Sequence, residues 1–267
     1  MHCRVRHAPV LLINRMNSAP LLVEVRDQVL RLTINRPEKR NALNLALLDA
    51  IGQAFADHAN NPDIKLALLT GAGDKAFAAG GDLKELDAVR SEEDSLAMSR
   101  RGRHALDQIR YFPLPVVGAL NGLALGGGAE LAMACDLRIA AAHAEIGLIQ
   151  STLNVTTAWG GGIDLLDIVG DSRALHILIT GQRIGAEEAL TLGMVNAVAG
   201  ADFSMSVEDF LAPYLEHNSQ VIRGYKTTAL AHRKRLHEKL DTVEEQQFVK
   251  TWIHEDHWAA AAKALKR

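Results

Sequence analysis

The chain has 267 residues, 48% of them hydrophobic, so its length suits one large domain or two small ones with a sizeable buried core. A net charge of −3 with no basic stripe gives no reason to expect bulk nucleic-acid binding, and an aromatic share of 4% leaves the core largely to Ala, Leu, Ile and Val. Cys3 and Cys135 give neither a metal spacing nor a disulfide framework, and no apolar run reaches the length of a membrane span, so the sequence predicts a cytoplasmic protein without a metal.

The first 23 residues hold no acid but carry Arg4, Arg6 and Arg15. Residues 1–20 read as a flexible extension ahead of an alternative start at Met16 rather than as a targeting segment. Residues 21–35 alternate apolar and polar side chains around Asp27-Gln28, which predicts a two-stranded hairpin ended by Pro37. Asn44 is placed to cap a helix running to about residue 60, with Leu47, Leu48, Ile51, Ala54 and Phe55 at helical spacing, and Pro62 stops it. Residues 64–70 form a short apolar strand, followed by a turn at 71–74.

Strand and tight loop are expected over 77–81, feeding a helix that starts near Leu83. Ser91 caps the next helix, which ends before Pro113. A buried strand at 115–120 leads into Gly126-Gly127-Gly128 and the helix behind it, and 136–140 is again strand. Helices are expected at 163–169, 172–180, 186–190 and from Val207 onward, with 194–198 as the last strand. Strands alternating with helices before residue 150, then helices beyond 170, predict an α/β core with a helical C-terminal region.

Between Arg110 and Asp136 the only carboxylate or cationic side chain is Glu130, directly behind the three glycines. A lone carboxylate in apolar surroundings is expensive to ionise, so its pKa is expected to rise toward neutrality, as it does at many functional sites. A core glutamate satisfied by backbone or water is the plainer alternative. Two loops, 77–83 and 125–128, share one design, each passing from a strand through small residues into a helix. Small residues admit a ligand close to the backbone, and a helix N-terminus offers unpaired N–H groups. Two such groups converging on one carbonyl oxygen would make an oxyanion hole; close helix–strand packing is the other reading of the glycines. Neither loop has the Lys-Ser/Thr sequence or the spacing of a nucleotide phosphate loop.

Three segments together, 36–43 (RPEKRNAL), 76–85 (AFAAGGDLKE) and 121–136 (NGLALGGGAELAMACD), resemble the enoyl-CoA hydratase/isomerase, or crotonase, superfamily. Thr180-Gly181, Ala186 and 192–196 (LGMVN) continue the match, which runs over roughly residues 21–198. The resemblance implies a right-handed spiral of strand–strand–helix units over 21–200 and a helical C-terminal region over 201–267, assembled as a trimer or a dimer of trimers. It implies an acyl-CoA substrate, with coenzyme A entering as part of that substrate and no further cofactor. The amides of Gly81 and Gly127 would form the oxyanion hole. Ala42, Leu43, Ala78, Ala79 and Gly80 would contact coenzyme A, and Lys39 or Arg40 its phosphates. Asp82 would fix its loop, and Lys263 or Lys266 would reach coenzyme A on a neighbouring subunit.

Glu130 matches the first of two glutamates that hydratases of this superfamily use, whereas the position of the second is Gln150, in the segment 146–150 (IGLIQ). An amide can hold water or substrate but cannot relay a proton at neutral pH. Double-bond isomerisation is therefore not expected, and hydration would rest on Glu130 alone, at a cost on the order of a hundredfold or more. Decarboxylation of a methylmalonyl- or ethylmalonyl-CoA needs only the oxyanion hole and one acid, and residues 158–162 (AWGGG) resemble the Trp-Gly-Gly turn of such decarboxylases. Trp159 would shape the acyl pocket, although a large aromatic is more often simply packing. Hydration of a 2-enoyl-CoA, with Glu130 as general acid and base and Gln150 positioning water or substrate, is the favoured reading; decarboxylation is the first alternative and a non-catalytic acyl-CoA binder the second. His143 receives no catalytic role, and His254 with His257 lacks a third metal ligand.

Overall fold

The computed structural model describes residues 19–264. The expectations placed on Met16, Cys3 and Lys266 lie outside that range. The fold opens on a hairpin in which β1 (Leu21–Arg26) and β2 (Val29–Ile34) pair antiparallel, Leu21 opposite Ile34. Asp27 and Gln28 take φ of 53° and 65°, the left-handed pair that lets a two-residue turn follow the twist of its strands. The Asn44 side chain accepts the Leu47 N–H at 2.9 Å and caps α1 (Leu45–His58), whose apolar stripe is buried as its spacing predicts.

One unit then repeats. β3 (Leu66–Gly71) is followed by β4 (Ala76–Ala78) and by the helices α2 (Leu83–Leu86) and α3 (Glu92–Arg110). β5 (Val116–Leu120), β6 (Leu123–Leu125) and α4 (Gly127–Ala134) form the next unit. The third comprises β7 (Leu137–Ala140), β8 (Glu145–Gly147), a 3-10 turn (Ile149–Leu153) and α5 (Gly161–Val169). The remainder is α6 (Asp171–Thr180), β9 (Ile184–Gly185), α7 (Ala186–Thr191), β10 (Ala197–Val198) and three helices, α8 (Phe203–Leu215), α9 (Ser219–Trp252) and α10 (Glu255–Ala264). First strands build a six-stranded sheet in the order β1-β2-β3-β5-β7-β10, and second strands a four-stranded sheet, β4-β6-β8-β9. β2, β3, β5, β7 and β10 run parallel, and β3 and β5 are buried almost throughout, as expected of parallel strands covered on both faces.

The corner between the sheets needs polar side chains because its backbone is buried and irregular. Asn121 accepts the Gly71 N–H at 3.1 Å and donates to the Gly73 carbonyl at 2.7 Å, while Asn41 donates to the Ala76 carbonyl at 2.7 Å. The strands β6, β8 and β9, with two or three residues each, are too short for a periodicity to reveal. α5 starts at Gly161 rather than Ile163 because Gly160, at φ 87°, takes the cap position. α8 starts at Phe203 because the Asp202 side chain accepts the Met205 N–H at 2.9 Å. The last strand shrinks to 197–198 because the amides of Met194 and Val195 are tied to the Ala189 carbonyl.

α9 crosses the spiral and is fastened by buried charge. Lys226 bonds both Asp136 oxygens at 2.5 Å, and Arg233 and His237 converge on Asp164. Asp164 also accepts from Arg110 at 2.9 Å, an arginine buried completely. Burial alone would push the Asp164 carboxyl up, but Arg110 and Arg233 outweigh it and hold the group well below the usual carboxylate range. A carboxyl so depressed stabilises the fold fully above its unfolded-state pKa of about 3.9, and that contribution is lost as pH falls below it. Asp164→Asn is therefore expected to lower the unfolding free energy at pH 7 by about 3–5 kcal/mol, with the deficit shrinking as the medium is acidified below pH ~4. Urea unfolding of both proteins across pH checks this; an equal deficit at pH 7 and in strong acid contradicts it.

Candidate active site

The four-stranded sheet brings the site together. β4, β6 and β8 lie side by side and parallel, so the loops leaving their C-terminal ends emerge next to one another. Those loops carry Ala79-Gly80-Gly81, then Gly126-Gly127 with Glu130 one helical turn on, then Gln150. Residues far apart in sequence thus meet for a topological reason, and all of them border one cavity of about 140 Å³.

Each glycine of the triplet has its own reason. Gly126 takes φ 53° to turn from strand into helix. A Cβ on Gly128 would stand 1.9 Å from the Ala78 carbonyl oxygen, so close packing of α4 on β4 requires that position to be bare. Gly127 is the first residue of α4, and its N–H has no intrahelical acceptor. Gly81 is bridged to Leu43 through its neighbours: Leu43 N–H donates to the Gly80 carbonyl, and Asp82 N–H to the Leu43 carbonyl, each at 2.8 Å. That leaves the Gly81 N–H unused, and neither it nor the Gly127 N–H has a partner among the described residues. Both glycines face Trp159: its Cη2 lies 3.9 Å from where a Cβ on Gly81 would stand and 2.8 Å from one on Gly127.

Glu130 is 2% exposed and is held by the backbone turn that follows the 3-10 segment. Its Oε2 accepts the Trp159 N–H at 2.8 Å and the Gly161 N–H at 3.0 Å. Its Oε1 accepts from Gln150 Nε2 at 2.9 Å and from the Ala158 N–H at 3.4 Å. A Cβ on Gly161 would fall 2.5 Å from Glu130 Cβ and Cγ, so glycine there is what permits the approach. Burial pushes the Glu130 carboxyl up to about 7, the nearby Glu244 carboxylate adds to the rise, and the three amides oppose it. A carboxyl balanced near neutrality can both take and return a proton at working pH.

The Gln150 Oε1 is buried and has no partner among the described residues, so this side chain offers an unused acceptor beside Glu130. Leu86, Met98, Leu153, Val155, Phe248 and Trp252, together with Ala158 and Trp159, form the apolar lining of the cavity. Among the described residues, no Lys, Arg or His lines it. Gly102 in α3 makes room for the indole, since a Cβ there would stand 2.3 Å from Trp159 Nε1.

Among the other residues singled out in the sequence, Ala79 and Gly80 border the cavity, Leu43 is buried beside Gly81, and Ala78 is buried in β4. The Ala42 carbonyl accepts from Arg36 at 2.5 Å, and Arg36 also reaches Asp82 at 3.2 Å. Lys39 and Arg40 stand exposed outside the cavity, Lys39 lying 3.7 Å from Asp82. His143 bonds the Asp74 carbonyl and does not border the cavity, and His257 bonds the Leu153 carbonyl at 2.7 Å. No group of three or more His, Cys, Asp or Glu that could hold a metal occurs among the described residues. No helix there is long and apolar enough to cross a membrane. Sequence reasoning missed the amides of Ala158, Trp159 and Gly161 and the Glu244 carboxylate; the glycines at 160–162 were the one visible signal of the turn.

The folded framework, with its two unused amides and the buried Glu130 carboxyl at one cavity, is that of a crotonase-fold protein. The sequence matches the family described as enoyl-CoA hydratase/isomerase over residues 24–264, and the chain belongs to that family. It is 34% identical over 201 residues to a short-chain-enoyl-CoA hydratase of Clostridium acetobutylicum, covering 75% of this chain and 77% of that one. It is 29% identical over 243 residues to an ethylmalonyl-CoA decarboxylase of Xenopus laevis, covering 90% of this chain and 81% of that one. The crystal structure of an enoyl-CoA hydratase/isomerase from Mycobacterium paratuberculosis superposes with a TM-score of 0.85 at 25% identity, over 91% of this chain and 98% of that one.

The Glu130 carboxyl is expected to titrate at about pH 7, well above an ordinary glutamate. Carbon-13 NMR of protein labelled at the glutamate carboxyl, with the resonance assigned by its loss in Glu130→Gln, measures this. A midpoint in the usual carboxylate range would show that the amides outweigh burial.

Proposed function

We propose that the protein adds water to the double bond of a 2-enoyl-CoA thioester. In this reading the amides of Gly81 and Gly127 grip the thioester oxygen as it gains negative charge, the device that contributes most to such enolate chemistry. Glu130 takes a proton from the water attacking the β-carbon and returns it to the α-carbon. Gln150 holds Glu130 through its Nε2 and accepts a hydrogen bond from that water at its unpaired Oε1. The observation that carries the reading is this buried, unused acceptor beside a near-neutral carboxyl, in a cavity bordered by two unpaired amides. The uncharged, apolar wall favours a short, uncharged acyl group.

The coenzyme A portion would run along Ala42, Leu43, Ala78, Ala79 and Gly80, with Lys39 or Arg40 meeting its phosphates and no further cofactor taking part. A cytoplasmic trimer or dimer of trimers is part of the same reading; Leu175 and Ile179, exposed on α6, are apolar surface of the kind a subunit contact covers.

Decarboxylation of a methylmalonyl- or ethylmalonyl-CoA is the second reading. It is favoured by the single carboxyl at the site and by the likeness to the Xenopus laevis decarboxylase. There carbon dioxide leaves, the two amides hold the enolate, and Glu130 supplies the proton. Double-bond isomerisation is disfavoured because Gln150 cannot carry a proton between carbons.

Purified protein is expected to consume crotonyl-CoA with loss of the conjugated-thioester absorbance. Glu130→Gln should lower kcat by about 10²–10⁴-fold while binding of the thioester is kept. Release of carbon dioxide from ethylmalonyl-CoA without crotonyl-CoA turnover would replace hydration by decarboxylation. Binding without conversion of either substrate would sink both readings.

A further inference from the structure

The turn that holds Glu130 has a carboxylate on each side. While Glu130 takes the N–H groups of Ala158, Trp159 and Gly161, the intervening Gly160 N–H points the other way and donates to Glu244 Oε2 at 2.8 Å. The Thr157 hydroxyl donates to Glu244 Oε1 at 2.6 Å, and Arg103 donates to Oε2 at 2.5 Å. Glu244 lies on α9, and its side chain is 9% exposed. The carbonyls of the same turn are committed as well: Ala158 accepts from Ser99 at 2.8 Å and Trp159 from Arg110 at 2.6 Å. Gly162 is bare where a Cβ would meet Thr157 Oγ1 at 2.4 Å and Glu244 Oε1 at 3.0 Å. Two successive glycines, Gly161 and Gly162, thus clear the way for the two carboxylates in turn.

We propose that Glu244 is a positioning residue for the reaction, fixing from the far side the amides that hold Glu130 and acting on Glu130 through its own charge. This rests on the reading that Glu130 is the reacting acid and base. The charged groups around the turn are Arg103 and Arg110 from α3, Asp164 from α5, and Arg233, His237, Asp241 and Glu244 from α9. Arg110, Arg233 and His237 surround Asp164, whereas Arg103 is shared between Asp241 and Glu244, with His237 also reaching Asp241. Glu244 is therefore the carboxylate that acts on Glu130 most directly, and Arg103 is the cation that tempers it. After burial, Glu244 is the next largest influence raising the Glu130 carboxyl.

A spacer that only braces the turn would loosen it when mutated. A charge acting on Glu130 makes two further demands, of opposite sign. Glu244→Gln removes the negative charge and is expected to move the Glu130 titration to lower pH by about half a unit or more. Arg103→Gln leaves the Glu244 charge unshielded and is expected to move it to higher pH. Both are read by carbon-13 NMR of the Glu130 carboxyl without substrate, so the result does not depend on which acyl-CoA the protein converts. Where turnover is measurable, the acidic limb of the kcat profile should move the same way.

Should Glu244→Gln fail to fold, Glu244→Asp keeps the charge while shortening the reach. It is expected to leave the titration within a few tenths of a unit of wild type and to lower kcat about tenfold or more. Midpoints unchanged in Glu244→Gln and Arg103→Gln, shifts of the same sign in both, or full kcat in Glu244→Asp would overturn the proposal. Absence of any acyl-CoA turnover alongside the two opposite shifts would instead overturn the catalytic reading of Glu130, and with it a role for Glu244 in a reaction, while the action of the Glu244 charge on Glu130 would stand.

Discussion

A carboxyl buried in an apolar core must be compensated, and the way this protein compensates Glu130 dictates much of what surrounds it. The effective cost of burying an ion is several kcal/mol even after relaxation. Three backbone amides and one side-chain amide meet it, and they come from a single turn and a single 3-10 segment. To aim three N–H groups of residues 158–161 at one carboxylate, the turn must pass within contact of the Glu130 side chain, which excludes any Cβ at Gly161. Its own carbonyls then need donors, supplied by Ser99 and Arg110 of α3. The long α9 closes the other side with Glu244 and roofs the cavity with Phe248 and Trp252. The balance remains incomplete by design of the fold: burial wins over the amides, and the carboxyl rests near neutrality.

The second constraint is topological. Splitting each strand pair between two sheets puts the short parallel strands β4, β6 and β8 adjacent, and their exits deliver two free amides, a carboxyl and an amide side chain to one place. The polar cost of the corner is carried by Asn41 and Asn121, which bond backbone groups that neither sheet can pair. Precision at the site therefore comes from short connections anchored at adjacent parallel strand ends, as catalysis by pre-oriented dipoles requires.

Much of this was legible in the chain. The isolation of Glu130 in a 25-residue stretch between Arg110 and Asp136 pointed to a perturbed carboxyl, and the motifs around Gly81 and Gly127 pointed to the spiral fold. Caps at Asn44 and Ser91 marked helices correctly because their hydrogen bonds are local. What escaped notice was long-range or too short. β8 has three residues and β9 two, so no alternation exists to be seen. The partners of Glu130 at 158–161 are backbone groups, which leave no residue-type signature apart from the glycines that permit them. Glu244, in an outwardly polar helix more than a hundred residues away, is indistinguishable by sequence from a solvated glutamate.

Hydration and decarboxylation share one event: a proton reaches the α-carbon of a thioester whose oxygen is held by two amides. Conversion in deuterium oxide, followed by mass spectrometry of the acyl product, tests that event directly. One deuterium at the α-carbon, with its incorporation suppressed in Glu130→Gln, is the result expected. Deuterium entering that carbon equally fast in wild type and variant, or product formed with none there, would contradict it.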